Sequence, residues 1–494
     1  MKCKALLIII MLSVTFTACG RNENGENNGI NEPHDYTRTL NILIIDNWHN
    51  RIIEQAAAAM SESWQVRGYP YTFKVVVEDN DQYSRTWPNC RMDRLGVELM
   101  AGQGPDMFTS GFSRDIRSAV RSGLIADIYT LMDNCPRTNR EDFFTNVLSA
   151  FEIDNRLYTF PVSFGFYHVG INTGLPQAYV NRFAQEPTVT IGQLLDIYLD
   201  VREQQEFAHL STGIPISFSS RYSMIEALIA GYIDFDTRTS DLTDEVFVSY
   251  LDMLPRVFGR STHLSGGGWR ATPFFANHTL RDFTEKQVFF MDSQMLNPVH
   301  AFLGDEAYFA RYRPLADDRG RLLINNNSMH SDSVWAAFSI TSAGQQELAW
   351  EFMQYLIKAY AQPLVNARRD PVQGRLLPIG LYSLSTPIKR AIADEHLRNV
   401  FEYIEGFYDA FNKAGELSFT NFDTSQERAA QIEAAINRIN AYNEMPMAML
   451  SPMLPWILFL GSHGGNVNSF MSGAITAEAY AQLIHNSVAL WLIE

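Results

Sequence analysis

Few residues in this 494-residue chain are arranged for bond-making chemistry, and the four cysteines come first. Cys3 sits in the apolar leader and Cys19 directly behind the small pair Thr17-Ala18, leaving Cys90 and Cys135 for the body. Two thiolates are too few for an all-thiolate zinc site. In an oxidising compartment Cys90 and Cys135 are a possible disulfide, and otherwise two separate thiols. The outcome depends on whether their Cα atoms come within bridging range. No Gly-x-Ser-x-Gly, His-Glu-x-x-His or phosphate-binding loop is present. Gly266-x-Gly268-x-x-Ala271 has the spacing of a dinucleotide fingerprint, but it follows no clear strand and Pro273 spoils the helix it would open. The 55 acidic residues offer carboxylate pairs in any fold, so glycoside hydrolysis stays open as a rival reading. The expectation is a protein that is not an enzyme and carries no metal or cofactor.

Cys19 has chemistry of another kind. Lys2 and Lys4 give a positive start, and the apolar run Ala5 to Val14, broken only by Ser13, is too short to span a membrane. Phe16 is too bulky for a plain secretory cleavage site. Residues 1–18 resemble a lipoprotein signal peptide, with Phe16 where leucine is usual and Cys19 as the residue that is lipidated. A diacylglyceryl group there supplies the two chains that stable anchoring needs. The expected location is the outer face of the cytoplasmic membrane, or facing the periplasm. Residues 19–39 are rich in Asn, Glu and Gly, and read as a disordered tether.

The body is 455 residues at most, long enough for two or three domains. It is 46% hydrophobic and 19% charged, so a large core is possible. A formal net charge of −16 argues against nucleic acid as a partner. Strand and helix patterns alternate from the start. Leu40 to Asp46 reads as a buried strand, and Ile52, Ile53, Ala56, Met60 and Trp64 recur at helical spacing. Tyr71 to Val77 is a second strand, Arg91 to Ala101 a helix, Pro105 to Thr109 a third strand, and Ser113 to Ser122 a third helix. This alternation predicts an α/β fold around a mostly parallel sheet. Ligands in such sheets bind beyond the carboxyl ends of the strands, which singles out Trp48 and the loop after Thr109. Farther on, Phe151 to Phe160 reads as a hairpin turning at Asp154-Asn155. Strands are also expected at Phe164 to Asn172, Val288 to Met291 and Val334 to Ile340, and helices at Glu347 to Lys358 and Ser425 to Asn440.

Four segments together carry a resemblance. They are Leu99 to Phe108 followed by Ser122 to Asp127; Asp154 to Pro161 leading to Asn172; Pro314 to Gly320 through Trp335 to Phe352; and Ser472 to Glu478 before a last helix. In this order, behind a lipoprotein leader, they resemble the bacterial extracellular solute-binding proteins, the family that includes the maltose- and oligosaccharide-binding proteins. Ser211 to Asn277 and the stretch after Arg390 do not align residue by residue. The resemblance implies a two-lobed periplasmic-binding-protein-like fold with a hinge and an interlobe cleft. Lobe I would take residues 40–160 plus 334–378, and lobe II residues 161–333 plus 379–494. It also implies a monomer that delivers a small solute, a mono- or oligosaccharide, to the permease subunits of an ABC importer. Binding of a peptide or amine is the alternative, ahead of a surface glycosidase.

A sugar needs a flat aromatic surface for its apolar face and hydrogen-bonding groups for its hydroxyls. Trp48 is a candidate by position. Phe112, Arg114 and Asp115 lie in the loop that matches the family's lobe I contact segment; the alternative reading of Ser113 or Asp115 is a cap on the third helix. Phe164, Phe166 and Tyr167 lie past the crossing, and alternation puts the two phenylalanines on one face and Tyr167 on the other, so most are expected in the core. Trp269, behind three glycines, suits a stacking platform or a surface loop. Asp292 and Gln294 follow a lobe II strand, and Trp335 starts the returning strand near the hinge. Trp350, on a helix with apolar neighbours, is expected in the core.

Overall fold

The computed structural model describes residues 38–44, 50–66, 71–77, 91–109, 116–166, 168–172, 175–202, 225, 228–229, 231–234, 237–258, 290–292, 310–324, 337–360, 368–369, 376–377, 386–399, 425–449 and 464–493. The leader, the tether, Cys19 and Cys90 lie outside them.

The first sheet grows from the amino-terminal alternation. β1 (Arg38–Ile44) leads to helix α1 (Asn50–Val66), β2 (Tyr71–Val77), α2 (Arg91–Met100) and β3 (Met107–Thr109). β2 and β3 both pair in parallel with β1. Side chains alternate across the sheet. Leu40, Ile42 and Ile44 therefore enter one buried cluster with Ile53, Met60 and Trp64 of α1, while Leu43 enters another with Leu95 and Leu99 of α2. Both faces of the sheet are covered, as buried parallel strands require.

α3 (Arg117–Arg121) is shorter than expected, and Ile116, not Ser113 or Asp115, stands at its cap position. Next come α4 (Ile128–Asp133) and α5 (Thr145–Ser149). The hairpin β4 (Glu152–Ile153) and β5 (Arg156–Leu157) turns at Asp154 and Asn155, whose φ of 52° and 59° suit a two-residue turn.

From β6 (Phe160–Pro161) the chain leaves the first sheet. β7 (Ser163–Phe164) is followed by β8 (His168–Asn172), which belongs to a second sheet. The second lobe adds α6 (Gln177–Ala184), β9 (Val189–Thr190), α7 (Ile191–Arg202), the hairpin β10 (Ile233–Asp234) and β11 (Thr239–Ser240), and α8 (Glu245–Phe258). β12 (Phe290–Asp292), β13 (Ala310–Ala316) and β14 (Leu322–Ile324) extend its sheet.

β15 (Ala337–Ile340) then returns to the first sheet, whose order is β2-β1-β3-β15-β6, and α9 (Gln346–Tyr360) packs on it. β16 (Arg368–Arg369) pairs β17 (Leu376–Leu377), and β18 (Thr386–Pro387) pairs β7. Helix α10 (Ser425–Asn443) precedes β19 (Met447–Met449), which completes the second sheet in the order β12-β8-β13-β14-β19, with β9 pairing β13 off this path. α11 (Gly464–Met471) and α12 (Ala477–Ile493) close the chain's second core. No helix among the described residues is long and apolar enough to cross a membrane.

The Pro105-Asp106 pair of the first resembling segment has a structural role. Asp106 is buried, and its Oδ2 accepts from the Asn41 backbone N–H at 2.7 Å and from Asn41 Nδ2 at 3.1 Å. Its Oδ1 accepts from the Gln345 backbone N–H at 2.9 Å. One carboxylate thus ties β1, the start of β3 and the start of α9 together. Gly344 must be glycine for this approach, since a Cβ there would sit 2.8 Å from Asp106 Cα.

Candidate functional site

Among the described residues the chain passes between the two sheets at three places. β6 of the first sheet leads through β7 to β8 of the second. β14 of the second leads to β15 of the first. α10, whose Ala435, Ile436, Ile439 and Tyr442 lie in the first core, leads to β19, paired with β14. Alternation along β14 serves both sides, with Leu322 and Ile324 in the first core and Leu323 in the second.

Polar and aromatic contacts fix these passages. Asn146 of α5 donates through Nδ2 to the backbone carbonyls of Asn443 at 2.8 Å and Met445 at 2.7 Å. Tyr442 donates from its hydroxyl to the Pro187 carbonyl at 3.3 Å, and its ring meets Phe166 edge-on at 6.1 Å. Phe166 bridges to Ile324, and Phe164 packs edge-on against Phe144 at 5.2 Å. Thr159 and Ser339 hydroxyls lie 3.2 Å apart where β15 meets the segment before β6, and Ser339 also donates to the Tyr158 carbonyl at 2.8 Å. Sequence reasoning missed Asn146, Tyr442 and the third passage. A helix-ending Tyr-Asn carries no periodic signal that it precedes a change of sheet.

Strand register sets which tips share an edge. β1 and β3 run side by side in parallel, so residues 45–49 and 110–115 follow the same end of the sheet. β15 runs against β3 with Phe338 opposite Thr109, so it starts at that end, where β6 also leaves with Pro161 opposite Ala337. In the second sheet β12 finishes with Asp292 opposite Val169, one residue from the start of β8. The described chain leaves the first sheet before Trp48 and before the 110–115 loop, and re-enters it after Trp335, at the end where it crosses over, whereas Tyr167 directly precedes β8 of the second sheet. Asp292 ends its strand at the corresponding end of the second.

The side chains of these candidates are another matter. Trp48, Phe112, Arg114, Asp115, Tyr167, Trp269, Gln294 and Trp335 lie outside the described residues, and only the backbone of Asp292 is described. Phe164 and Phe166, expected in the core, are buried in it. Trp350 is also core, edge-on to Phe160 at 5.2 Å. Cys135 is buried, and its Sγ accepts from the Thr138 hydroxyl at 3.5 Å.

One titratable cluster stands apart, on the β13–β14 turn. Asp318 accepts from the hydroxyls of Tyr232 at 2.9 Å and Tyr250 at 3.3 Å. Loss of solvation raises its carboxyl above the ordinary range against the pull of those hydrogen bonds. The same loss, with the Asp318 charge, raises both phenols. The cluster fastens α8 to the turn, and none of its groups lies at a passage between sheets.

Two lobes with separate sheets, joined by three passages that leave the carboxyl ends of strands beside the crossing, decide the fold. The fold is that of the extracellular solute-binding proteins. Solved structures with this fold cover nearly the whole chain. The sugar-binding protein MalE from Xanthomonas citri matches with a TM-score of 0.54 and 12% identity, over 92% of this chain and 97% of its own. The cyclic alpha-maltosyl-1,6-maltose binding protein from Arthrobacter globiformis matches at 0.50 and 10%, over 92% and 99%. The extracellular solute-binding protein family 1 from Alicyclobacillus acidocaldarius matches at 0.50 and 13%, over 93% and 99%. No family model and no curated protein matches the sequence itself. The solute-binding fold is therefore carried here by strand order and core pattern with very little identity. Its two sheets present strand ends to the crossing between them.

Proposed function

We propose that this protein captures a carbohydrate in the cleft between its lobes and presents it to the permease subunits of an ABC importer. The observation that carries this reading is the three-passage, two-lobed fold, with strand ends from both sheets at the crossing. The sugar-binding names of the structural neighbours from Xanthomonas citri and Arthrobacter globiformis support carbohydrate as the ligand class. A ligand that touches both lobes favours the closed form, because equal affinity for two states shifts neither. Closure about the hinge then makes the surface that the importer reads.

In this reading Trp48 and Trp269 stack on the sugar. Phe112, Arg114, Asp115, Tyr167, Asp292, Gln294 and Trp335 complete the contacts. The protein works as a monomer, tethered outside the cytoplasmic membrane through a lipid on Cys19, with Cys90 and Cys135 as a candidate disulfide. The core contacts suggest a revised lobe division. Ile388, Ala393, Leu397, Ala435, Ile436 and Ile439 are buried in the first core, which favours counting 386–399 and 425–443 with lobe I beside 40–160 and 334–378.

A thermal-shift screen of mono- and oligosaccharides, peptides and amines on the purified protein tests the reading. A ligand at about 100 times its dissociation constant adds roughly 2.7 kcal/mol of stability, enough to move the midpoint. A rise with a sugar supports the proposal, and a rise with only a peptide or amine overturns it. Trp48→Ala or Trp269→Ala is expected to weaken sugar binding about ten-fold. Unchanged affinity in both would remove the two stacking residues.

A further inference from the structure

Away from the three passages, two hairpin tips meet. The β4–β5 tip belongs to the first lobe, where Leu157 is in the first core and Ile153 packs against the cluster behind β3. The β10–β11 tip belongs to the second lobe, where Tyr232 and Ile233 are core residues. Arg238 Nη2 lies 2.8 Å from both carboxylate oxygens of Asp154, 84 residues earlier in the chain. Beside this pair the lobes enclose a small pocket lined by Arg117, Val120 and Ile153 from the first and by Arg238 and Leu492 from the second. Leu492 is itself a residue of the second core.

The backbone at both tips is unusual. The non-glycine residues with positive φ among the described ones are Asp154 at 52°, Asn155 at 59° and Arg238 at 55°. Asp and Asn enter this region readily, whereas arginine does so at a steric cost. A glycine at 238 would suit the backbone better but would carry no guanidinium. The chain places an arginine where the turn disfavours it, and that arginine reaches across to the other lobe.

We propose that Asp154 and Arg238 form a latch between the lobes that holds the arrangement seen here and thereby sets the hinge equilibrium. Rotation of one lobe about the passages moves one tip relative to the other, so the pair is made in one arrangement and broken in the rest. The latch acts on ligand affinity through that equilibrium, with neither residue needing to touch ligand. The pair is about half exposed, with side-chain exposures of 47% for Arg238 and 52% for Asp154, so its effect is modest and falls with salt.

The test measures energy transfer between a donor at Val97 and an acceptor at Val246, exposed positions on α2 and α8, in the otherwise intact protein. Asp154→Lys and Arg238→Glu are each expected to change the transfer efficiency. They should also shift the dissociation constant of any bound sugar by about two- to five-fold, both in the same direction. The charge swap Asp154→Arg with Arg238→Asp should restore both readouts. Arg238→Gly, which relaxes the turn, should behave like Arg238→Glu. Unchanged transfer efficiency in the two single reversals, failure of the swap to restore it, or wild-type behaviour of Arg238→Gly would each overturn the latch. Transfer efficiency needs no ligand, so the latch is decided even if no sugar binds.

Discussion

Asp106 and Asn146 show how much of this fold rests on single buried polar groups. Asp106 satisfies three donors from two separate segments, which are stranded when it is cut back to alanine. Hydrogen bonds to a charged group contribute about 1.5–3 kcal/mol each, and stranded buried donors add their desolvation cost. Asp106→Ala is expected to lower stability by about 3 kcal/mol or more in urea unfolding. Asn146 is different, since it holds two backbone carbonyls that lie just where α10 gives way to β19. Asn146→Ala is expected to cost about 2 kcal/mol. Because the contact lies at a passage between sheets, the variant should also speed amide exchange in residues 443–449. Loss of stability without faster exchange there would mean that Asn146 is an ordinary packing residue.

At the scale of elements, the aromatic cluster of Phe143, Phe160 and Trp350 joins a loop, a crossing strand and a helix from distant parts of the chain. Phe160 is fully buried, so Phe160→Ala is expected to cost about 3–5 kcal/mol. It should weaken the first lobe selectively, which hydrogen exchange by lobe would show. How much of this was legible in sequence follows from period and length. β1, β2, α1 and α2 have strong periodic patterns, and the Asp154-Asn155 turn has its own chemistry, so these elements were readable within a few residues. β14 and β19 have three residues each, too short for alternation to register, and their partners lie far away in sequence. Ser113 and Asp115 have the residue types of helix caps, which places the third helix too early, whereas it begins after Ile116. Strand ends could be placed near the crossing from the α/β pattern alone. Which aromatic side chains turn into the cleft depends on loop conformations that no periodicity encodes.

At the scale of the whole molecule, two lobes are joined among the described residues by three passages and, on our reading, by one latch. Hydrophobic burial within each lobe makes it stiff, while the passages and the tip-to-tip ion pair run between the lobes. Such an arrangement is expected to move as two bodies, and a ligand bridging them is expected to change their separation. The most direct test is small-angle scattering of the purified protein, with and without a sugar that raises its thermal midpoint. Bound sugar is predicted to reduce the radius of gyration as the lobes close. A sugar that stabilises the protein but leaves the radius of gyration unchanged would place its site elsewhere and contradict capture between the lobes.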